Sequence, residues 1–101
     1  MGATPFVVVA RGRDVLSAFR SAREDALHEH GHGGYTGTIA EKHDVTYGGW
    51  HLDDEAAARR FAIVELNADD ERSQQRWTKD GPAGAVRFGV DGWVFFGLAR
   101  S

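Results

Sequence analysis

The chain has 101 residues, of which 42% are hydrophobic and 27% charged, and its formal net charge at pH 7 is −3. This length and composition are typical of one compact globular domain, so we expect a single domain over residues 1–101. The acidic balance argues against binding of nucleic acid polymers, which needs clustered positive charge. No apolar run is long enough to cross a bilayer and no signal-peptide pattern is present, so we expect a cytoplasmic protein that does not bind membranes. Cysteine is absent, which excludes disulfides and thiolate chemistry.

The first predicted elements are a buried strand and an amphipathic helix. The run from Pro5 to Ala10 is apolar and rich in valine, which predicts a strand that is covered on both faces and lies centrally in a sheet. Asp14 is placed to cap a helix, and apolar side chains then recur at three- and four-residue spacing as far as Leu27. We expect this helix to end at Gly31.

A second strand and a second helix are predicted in the middle of the chain. Residues 36–47 alternate side chains of mixed character, which is typical of a strand near a sheet edge. The glycine pair at 48–49 then predicts a loop. Asp53 or Asp54 is expected to start a helix that runs through Leu66.

The clearest short-range pattern is Asp91-Gly92 between two apolar runs, which predicts a type I′ hairpin with apolar residues on both faces. The order strand, helix, strand, helix, strand, strand predicts an α+β fold, a mainly antiparallel sheet with two helices packed on one face. The other face would then need cover, because large exposed apolar patches are rare on monomers. We therefore expect a homo-oligomer, with a two-fold dimer favoured. The alternative is that the polar segment 67–79 folds over that face.

Residues 28–42 combine histidines, glycines and threonines between the first helix and the second strand. Backbone N–H groups in such a glycine-rich run can cradle an anion, although phosphate-binding loops run from a strand into a helix, which is the reverse order. Lys42 and Arg87 could add positive charge, and Trp50 could stack on a planar ligand. The predicted ligand-binding residues are His32, Gly33, Gly34, Tyr35, Thr36, Thr38, Lys42, Trp50 and Arg87. The alternative is purely structural, with the glycines ending the helix and the aromatic residues in the core.

The histidines also raise the question of a metal site. His30, His32 and His43 could converge if the loop folds back, but His28 and His30 point apart on a helix, and the spacing matches no zinc pattern. Glu41, His43, Asp44 and Tyr35 include groups able to act as acid and base, yet nothing in the sequence sets their separation. We therefore predict no catalytic residues, no metal ligands and no cofactor.

Three motifs carry a resemblance to known proteins: YTGTIAEK at 35–42, GPAG at 81–84 and FFG at 95–97. With these motifs the chain resembles a set of small proteins of actinobacteria and their phages, for which we know no activity. The likeness covers most of the chain, although residues 77–80 depart from a shorter Trp-Gly-Pro junction. The resemblance implies that the glycine-containing motifs belong to one shared architecture.

These patterns predict a small, non-enzymatic binding module for a nucleotide-like or phosphorylated small molecule. One alternative is a protein-interaction or inhibitor module that acts on a host protein through an acidic or apolar surface. A second alternative is a histidine-based metal-binding protein.

Overall fold

A computed structural model describes residues 3–30, 36–67, 78 and 80–100, and of His30 only the backbone. Its elements are β1 (Ala3–Arg11), α1 (Val15–His30), a 3₁₀ helix (Ile39–Glu41), β2 (Val45–Leu52), α2 (Glu55–Asn67), β3 (Ala83–Phe88) and β4 (Gly92–Arg100). The strands form a sheet in the order β1-β4-β3-β2, in which only the β2–β3 pair is parallel. The α+β class, the order of the elements and the mainly antiparallel sheet are confirmed.

The two helices cover opposite faces of the sheet. Side chains alternate along β4, so that Trp93 and Phe95 belong to the core cluster under α1, whereas Val94 and Phe96 belong to the cluster under α2. The prediction that both helices pack on one face is therefore wrong. Because α2 covers the second apolar face, the reason for expecting a dimer no longer holds, and dimerisation itself stays a prediction.

β1 lies at an edge of the sheet and not at its centre, because only β4 pairs with it among the described strands. Phe6 and Ala10 nevertheless pack under α1, while Val7 and Val9 pack on the α2 side. An unbroken apolar run thus reports that both faces of a strand are covered, and it does not report how many strands flank it.

The predicted strand at 36–47 is replaced by the 3₁₀ helix and by the start of β2 at Val45. Gly48 and Gly49, predicted to form a loop, lie inside β2, where the pairing with β3 shifts register between Tyr47 and His51. Gly49 has a φ of 89°, a conformation that glycine adopts without strain at such an irregularity. Pairing with β3 therefore overrides the local tendency of two glycines to form a loop.

Both helix starts follow the predicted capping chemistry. The Asp14 carboxylate accepts a hydrogen bond of 2.8 Å from the backbone N–H of Ser17, and the Asp54 carboxylate accepts one of 2.8 Å from Ala57. α2 ends at Asn67, one residue beyond the expected end. Neither described helix is long and apolar enough to span a membrane.

The C-terminal hairpin exists, but its register differs from the predicted one. Phe88 pairs with Gly92, so the loop has three residues, 89–91. Gly89 has a φ of 59°, whereas neither Asp91 nor Gly92 has the positive φ that a type I′ turn requires. Since a shift by an odd number of residues exchanges the faces of a strand, Phe88 lies on the opposite face from Phe95.

Candidate functional site

Residues 36–41 form a locally closed network of polar side chains. The Glu41 carboxylate accepts hydrogen bonds from the backbone N–H of Thr36 at 3.1 Å and from the Thr36 hydroxyl at 2.9 Å. The two threonine hydroxyls lie 2.7 Å apart, and the Thr38 hydroxyl caps the 3₁₀ helix by accepting from the N–H of Ala40 at 3.2 Å. These hydroxyl groups thus stabilise the turn itself.

Lys42 follows this turn and is almost completely enclosed, with 1% of its surface exposed. Its Nζ donates hydrogen bonds to the backbone carbonyl oxygens of Thr78 at 2.9 Å and Gly81 at 2.8 Å. Burial lowers the pKa of Lys42 below its usual value, and the nearby Asp80 carboxylate opposes that shift. The ammonium group therefore ties the start of β3 to the 3₁₀ helix, and its position inside the protein keeps it from a ligand in solvent.

Three segments meet beside Lys42, and backbone hydrogen bonds hold them together. The N–H of Gly37 donates to the carbonyl of Arg100 at 2.8 Å, which joins the 3₁₀ segment to the end of β4. The N–H of Ala83 donates to the carbonyl of Asp44 at 3.0 Å, which joins the start of β3 to the segment before β2. This junction places residues from distant parts of the chain around one cavity.

The cavity at this junction has a volume of about 440 Å³. Its walls carry three carboxylates, one imidazole and one guanidinium, and the lining residues are Glu41, His43, Asp44, Asp80, Gly81, Pro82 and Arg100. Arg100 donates from Nε to the Asp80 carboxylate at 2.6 Å, so its charge is balanced within the wall. The remaining two carboxylates make the cavity acidic.

The predicted ligand-binding residues fall into separate groups. His32, Gly33, Gly34 and Tyr35 lie outside the described residues. Thr36, Thr38 and Lys42 are neighbours in the turn beside the cavity. Their hydroxyl and ammonium groups form hydrogen bonds within the protein and so stabilise the fold. None of the five that the structure describes lines the cavity.

Trp50 and Arg87 do not join that group. The Trp50 ring packs against Phe61 of α2 with centroids 5.0 Å apart, on the opposite face of the sheet from α1. Arg87 donates to the carbonyl of Val90 in the hairpin loop, and its guanidinium lies over the Trp93 ring at 5.5 Å from the centroid. Trp50 and Arg87 therefore do not close a site around Lys42.

None of the lining residues was among the predicted ligand-binding residues, and Asp80 and Arg100 had no predicted role in any site. Their side chains meet because β3 pairs with β4, which brings the segment before β3 close to the end of β4. No local pattern reports this contact. Glu41 and His43, in contrast, were singled out as groups able to act as acid and base.

The described histidines are scattered. His28, His43 and His51 are exposed, and the ring of His51 makes a 2.8 Å hydrogen bond with the carbonyl of Gly89. Among residues 3–30, 36–67, 78 and 80–100, no three histidine or carboxylate side chains are grouped to hold a metal ion. His32 and the side chain of His30 lie outside that description, so the convergence of His30, His32 and His43 stays untested.

Comparison with known proteins adds no assignment to this geometry. No protein-family model matches the chain, and neither a curated protein nor a solved structure matches it significantly. The resemblance to small actinobacterial and phage proteins therefore stays a prediction, and the function has to be argued from the site itself.

Proposed function

We propose that this protein is a non-enzymatic binding module and that its acidic cavity holds a small organic cation, either an amine or a guanidinium compound. The observation that carries the proposal is the excess of carboxylates over positive groups in a cavity large enough for a small molecule. The single guanidinium in the wall, that of Arg100, forms an ion pair with Asp80. Glu41 and Asp44 supply the negative charge that attracts the ligand.

The phosphorylated ligand predicted from the sequence fits this cavity less well. A phosphate would face carboxylates, and two unit charges 4 Å apart interact by about 1 kcal/mol even in bulk water. Lys42, which was expected to neutralise it, is enclosed and directed at backbone carbonyl oxygens. A cationic ligand avoids both difficulties.

The test is an NMR titration of the labelled protein with two probes of opposite charge, putrescine and AMP. We expect putrescine to shift the backbone amide signals of residues 41–44, 80 and 81 in a saturable way, and AMP to leave them unchanged. A larger response to AMP would contradict the cation proposal and favour the phosphorylated ligand. The absence of any saturable response to putrescine would also contradict it.

A matched pair of variants tests whether the carboxylates in the cavity wall provide the affinity for putrescine. Asp44→Asn removes one charge from the wall while its side-chain oxygen can still accept the 2.8 Å hydrogen bond from the N–H of Val45. Because about 1 kcal/mol of attraction is lost, we expect putrescine affinity to fall roughly fivefold. Asp53→Asn is the control, since Asp53 is exposed and lies outside the cavity lining. Equal losses in both variants would indicate a nonspecific charge effect.

The setting of this activity follows the sequence predictions. A binding module in the cytoplasm of an actinobacterium or of a phage-infected cell would meet abundant small amines and basic protein side chains. Native mass spectrometry of the purified protein tests the predicted dimer independently of the ligand, because it reports the number of subunits directly.

A further inference from the structure

Arg87 lies on a part of the sheet that α1 leaves uncovered. A row of paired residues crosses the sheet on the α1 face, and its members are His51 of β2, Arg87 of β3, Trp93 of β4 and Ala10 of β1. Ala10 and Trp93 are buried in the core under α1, whereas Arg87 is half-buried and His51 is exposed. At this end of the sheet the α1 layer therefore stops at β4, and Arg87 stands at its margin.

A bulge in β2 brings Tyr47 to the same margin. Tyr47 pairs with Ala85 and His51 pairs with Arg87, so four residue steps of β2 match two of β3. Gly49, with a φ of 89°, lies within this bulge. Because the two partners on β3 are only roughly 7 Å apart along the strand, Tyr47 and His51 flank neighbouring positions on one face. Bulges often re-aim side chains in this way next to functional sites.

The indole ring of Trp93 supports both Tyr47 and Arg87. The Tyr47 ring packs edge-on against it with centroids 5.0 Å apart, and the guanidinium carbon of Arg87 lies 5.5 Å from the indole centroid. Trp93 is itself 2% exposed, and its Nε1 donates to the carbonyl of Gly12 at 2.8 Å. Since the indole is fixed on both sides, it holds the phenol and the guanidinium beside each other at the margin of the core.

The positive charge of Arg87 has no counterion among the described residues. Its one described hydrogen bond goes to the carbonyl of Val90, no described carboxylate forms an ion pair with it, and its buried Nε has no described partner. Asp91 of the hairpin loop pairs with Arg11 instead, at 3.0 Å. Nη1 of Arg87 and the Tyr47 hydroxyl also have no described partner, so both groups can donate to a ligand.

The neighbours of Arg87 on β2, on β4 and in the hairpin loop all belong to the described part of the chain. Residues 31–35 and 68–77 are connected at the opposite end of the sheet, where β3 starts. Five residues span at most about 18 Å, so a segment such as 31–35 that has to return reaches about half that distance. Arg87 is about 13 Å along β3 from its start. The segment 68–77 leaves from α2, on the other face.

We propose that Arg87 and Tyr47 bind an oxyanion, a carboxylate or phosphate group of a small ligand, on the open α1 face of β2 and β3. Nη1 of Arg87 supplies a charge-assisted hydrogen bond and the Tyr47 hydroxyl supplies a second donor. His51 borders the site, with its Nε2 engaged by the carbonyl of Gly89 at 2.8 Å. The acidic cavity lies at the other end of the sheet, before β2 and β3 and at the end of β4. The two sites are therefore independent.

The test is an NMR titration of the labelled full-length protein with sodium acetate and with methyl phosphate, at constant ionic strength. We expect saturable shifts of the Arg87 Nε–Hε signal and of the backbone amides of residues 47, 51 and 87, without a matching response of residues 41–44. A response to only one probe supports the proposal and identifies the oxyanion as a carboxylate or a phosphate. The absence of a saturable response to both probes would overturn it.

Substitutions then assign the two donors, with affinity measured for the tighter probe. We expect Arg87→Gln to weaken binding by at least about tenfold, because a charge-assisted hydrogen bond is lost. Arg87→Lys keeps the charge without the planar group and should retain part of the affinity. Tyr47→Phe keeps the ring contact with Trp93 and should weaken binding about threefold, as expected for one neutral hydrogen bond.

Arg13→Gln is the matched control, since Arg13 is exposed at the same end of the sheet, between β1 and α1. We expect it to change the affinity by less than about twofold, because exposed charges at a distance are screened by salt. Equal losses in Arg87→Gln and Arg13→Gln would overturn the proposal in favour of a nonspecific charge effect. Unchanged affinity in Tyr47→Phe would contradict the paired site as stated.

Discussion

On each face of the sheet a helix packs through alanine residues, but the aromatic side chains are buried to different extents on the two faces. Under α1 the aromatic rings of Phe19, Trp93 and Phe95 have exposed fractions of 7%, 2% and 0%. Under α2 the rings of Phe88 and Phe96 are buried as well, but those of Trp50 and Phe61 are only half-buried. Both faces therefore contribute to the core, and the layer on the α2 side is the thinner one because its marginal rings stay half-buried.

The length of the helices and the presence of the 3₁₀ helix explain this difference. α1 has 16 residues and is joined in its layer by the 3₁₀ helix, whose Ile39 and Ala40 are buried, whereas α2 has 13 residues. Both helices approach the sheet through alanine, and Ala18 and Ala58 are each fully buried. Close approach by a helix does not by itself close a face, because the aromatic rings at the margins also need neighbours.

The largest expected effect comes from truncating one aromatic ring on each face, which tests the comparison of the two faces directly. Phe95→Ala should lower the free energy of unfolding by about 3–5 kcal/mol, because a fully buried ring leaves a cavity that its surroundings cannot fill. Phe61→Ala should cost roughly half as much or less, because that ring is already partly hydrated. Urea unfolding followed by circular dichroism measures both. Equal losses would mean that the α2 face is as tightly packed as the α1 face.

A substitution of Lys42 tests the α1 side further, because Lys42 directly follows the 3₁₀ helix that shares a layer with α1. Lys42→Met keeps an apolar chain but removes the hydrogen bonds to Thr78 and Gly81. We expect a loss of about 2 kcal/mol at pH 7, since hydrogen bonds from a charged donor contribute about 1.5–3 kcal/mol and relief of the buried charge offsets part of this. A variant as stable as the natural protein would contradict a clamping role for the ammonium group.

The pH dependence of that difference has a defined sign. Burial lowers the pKa of Lys42 below its usual value of 10.5 in the folded state. Between the folded pKa and 10.5 the unfolded chain binds more protons than the folded one, so the stability contributed by this group rises with pH in that window. The difference between the natural protein and Lys42→Met should therefore increase from pH 7 to pH 10. A difference that decreases over this range would contradict the assigned direction.

The smallest expected effect concerns the start of α2, on the thinner face. Asp54→Ala should lower the free energy of unfolding by about 1 kcal/mol, because the N–H of Ala57 loses its capping acceptor. The neighbouring variant Asp53→Ala should change it by less than about 0.5 kcal/mol, as expected for an exposed residue without such a role. If both variants behave alike, the helix starts elsewhere.

The parts of the fold that depend on neighbouring residues could be predicted. Asp14 and Asp54 cap helices through bonds to residues three positions further on, and this chemistry is readable from spacing alone. The candidate site was only partly predictable. Glu41 and Lys42 were recognised as important polar residues, but their partners are Thr36 nearby and Thr78 and Gly81 far along the chain. The choice between binding an external ligand and binding the protein's own backbone depends on those distant partners.

The sequence by itself determined the α+β class, the order of the elements and the two capped helices, since these follow from periodicity and local hydrogen bonding. Only the tertiary structure decided which strand lies at the edge, which face each helix covers and which residues surround the acidic cavity. The hairpin shows the reason. The observed register of β3 with β4 puts Phe88 on the opposite face from Phe95, and no local sequence pattern distinguishes this register from the predicted one. Pairing across the sheet is a property of two segments at once, and neither segment encodes it alone.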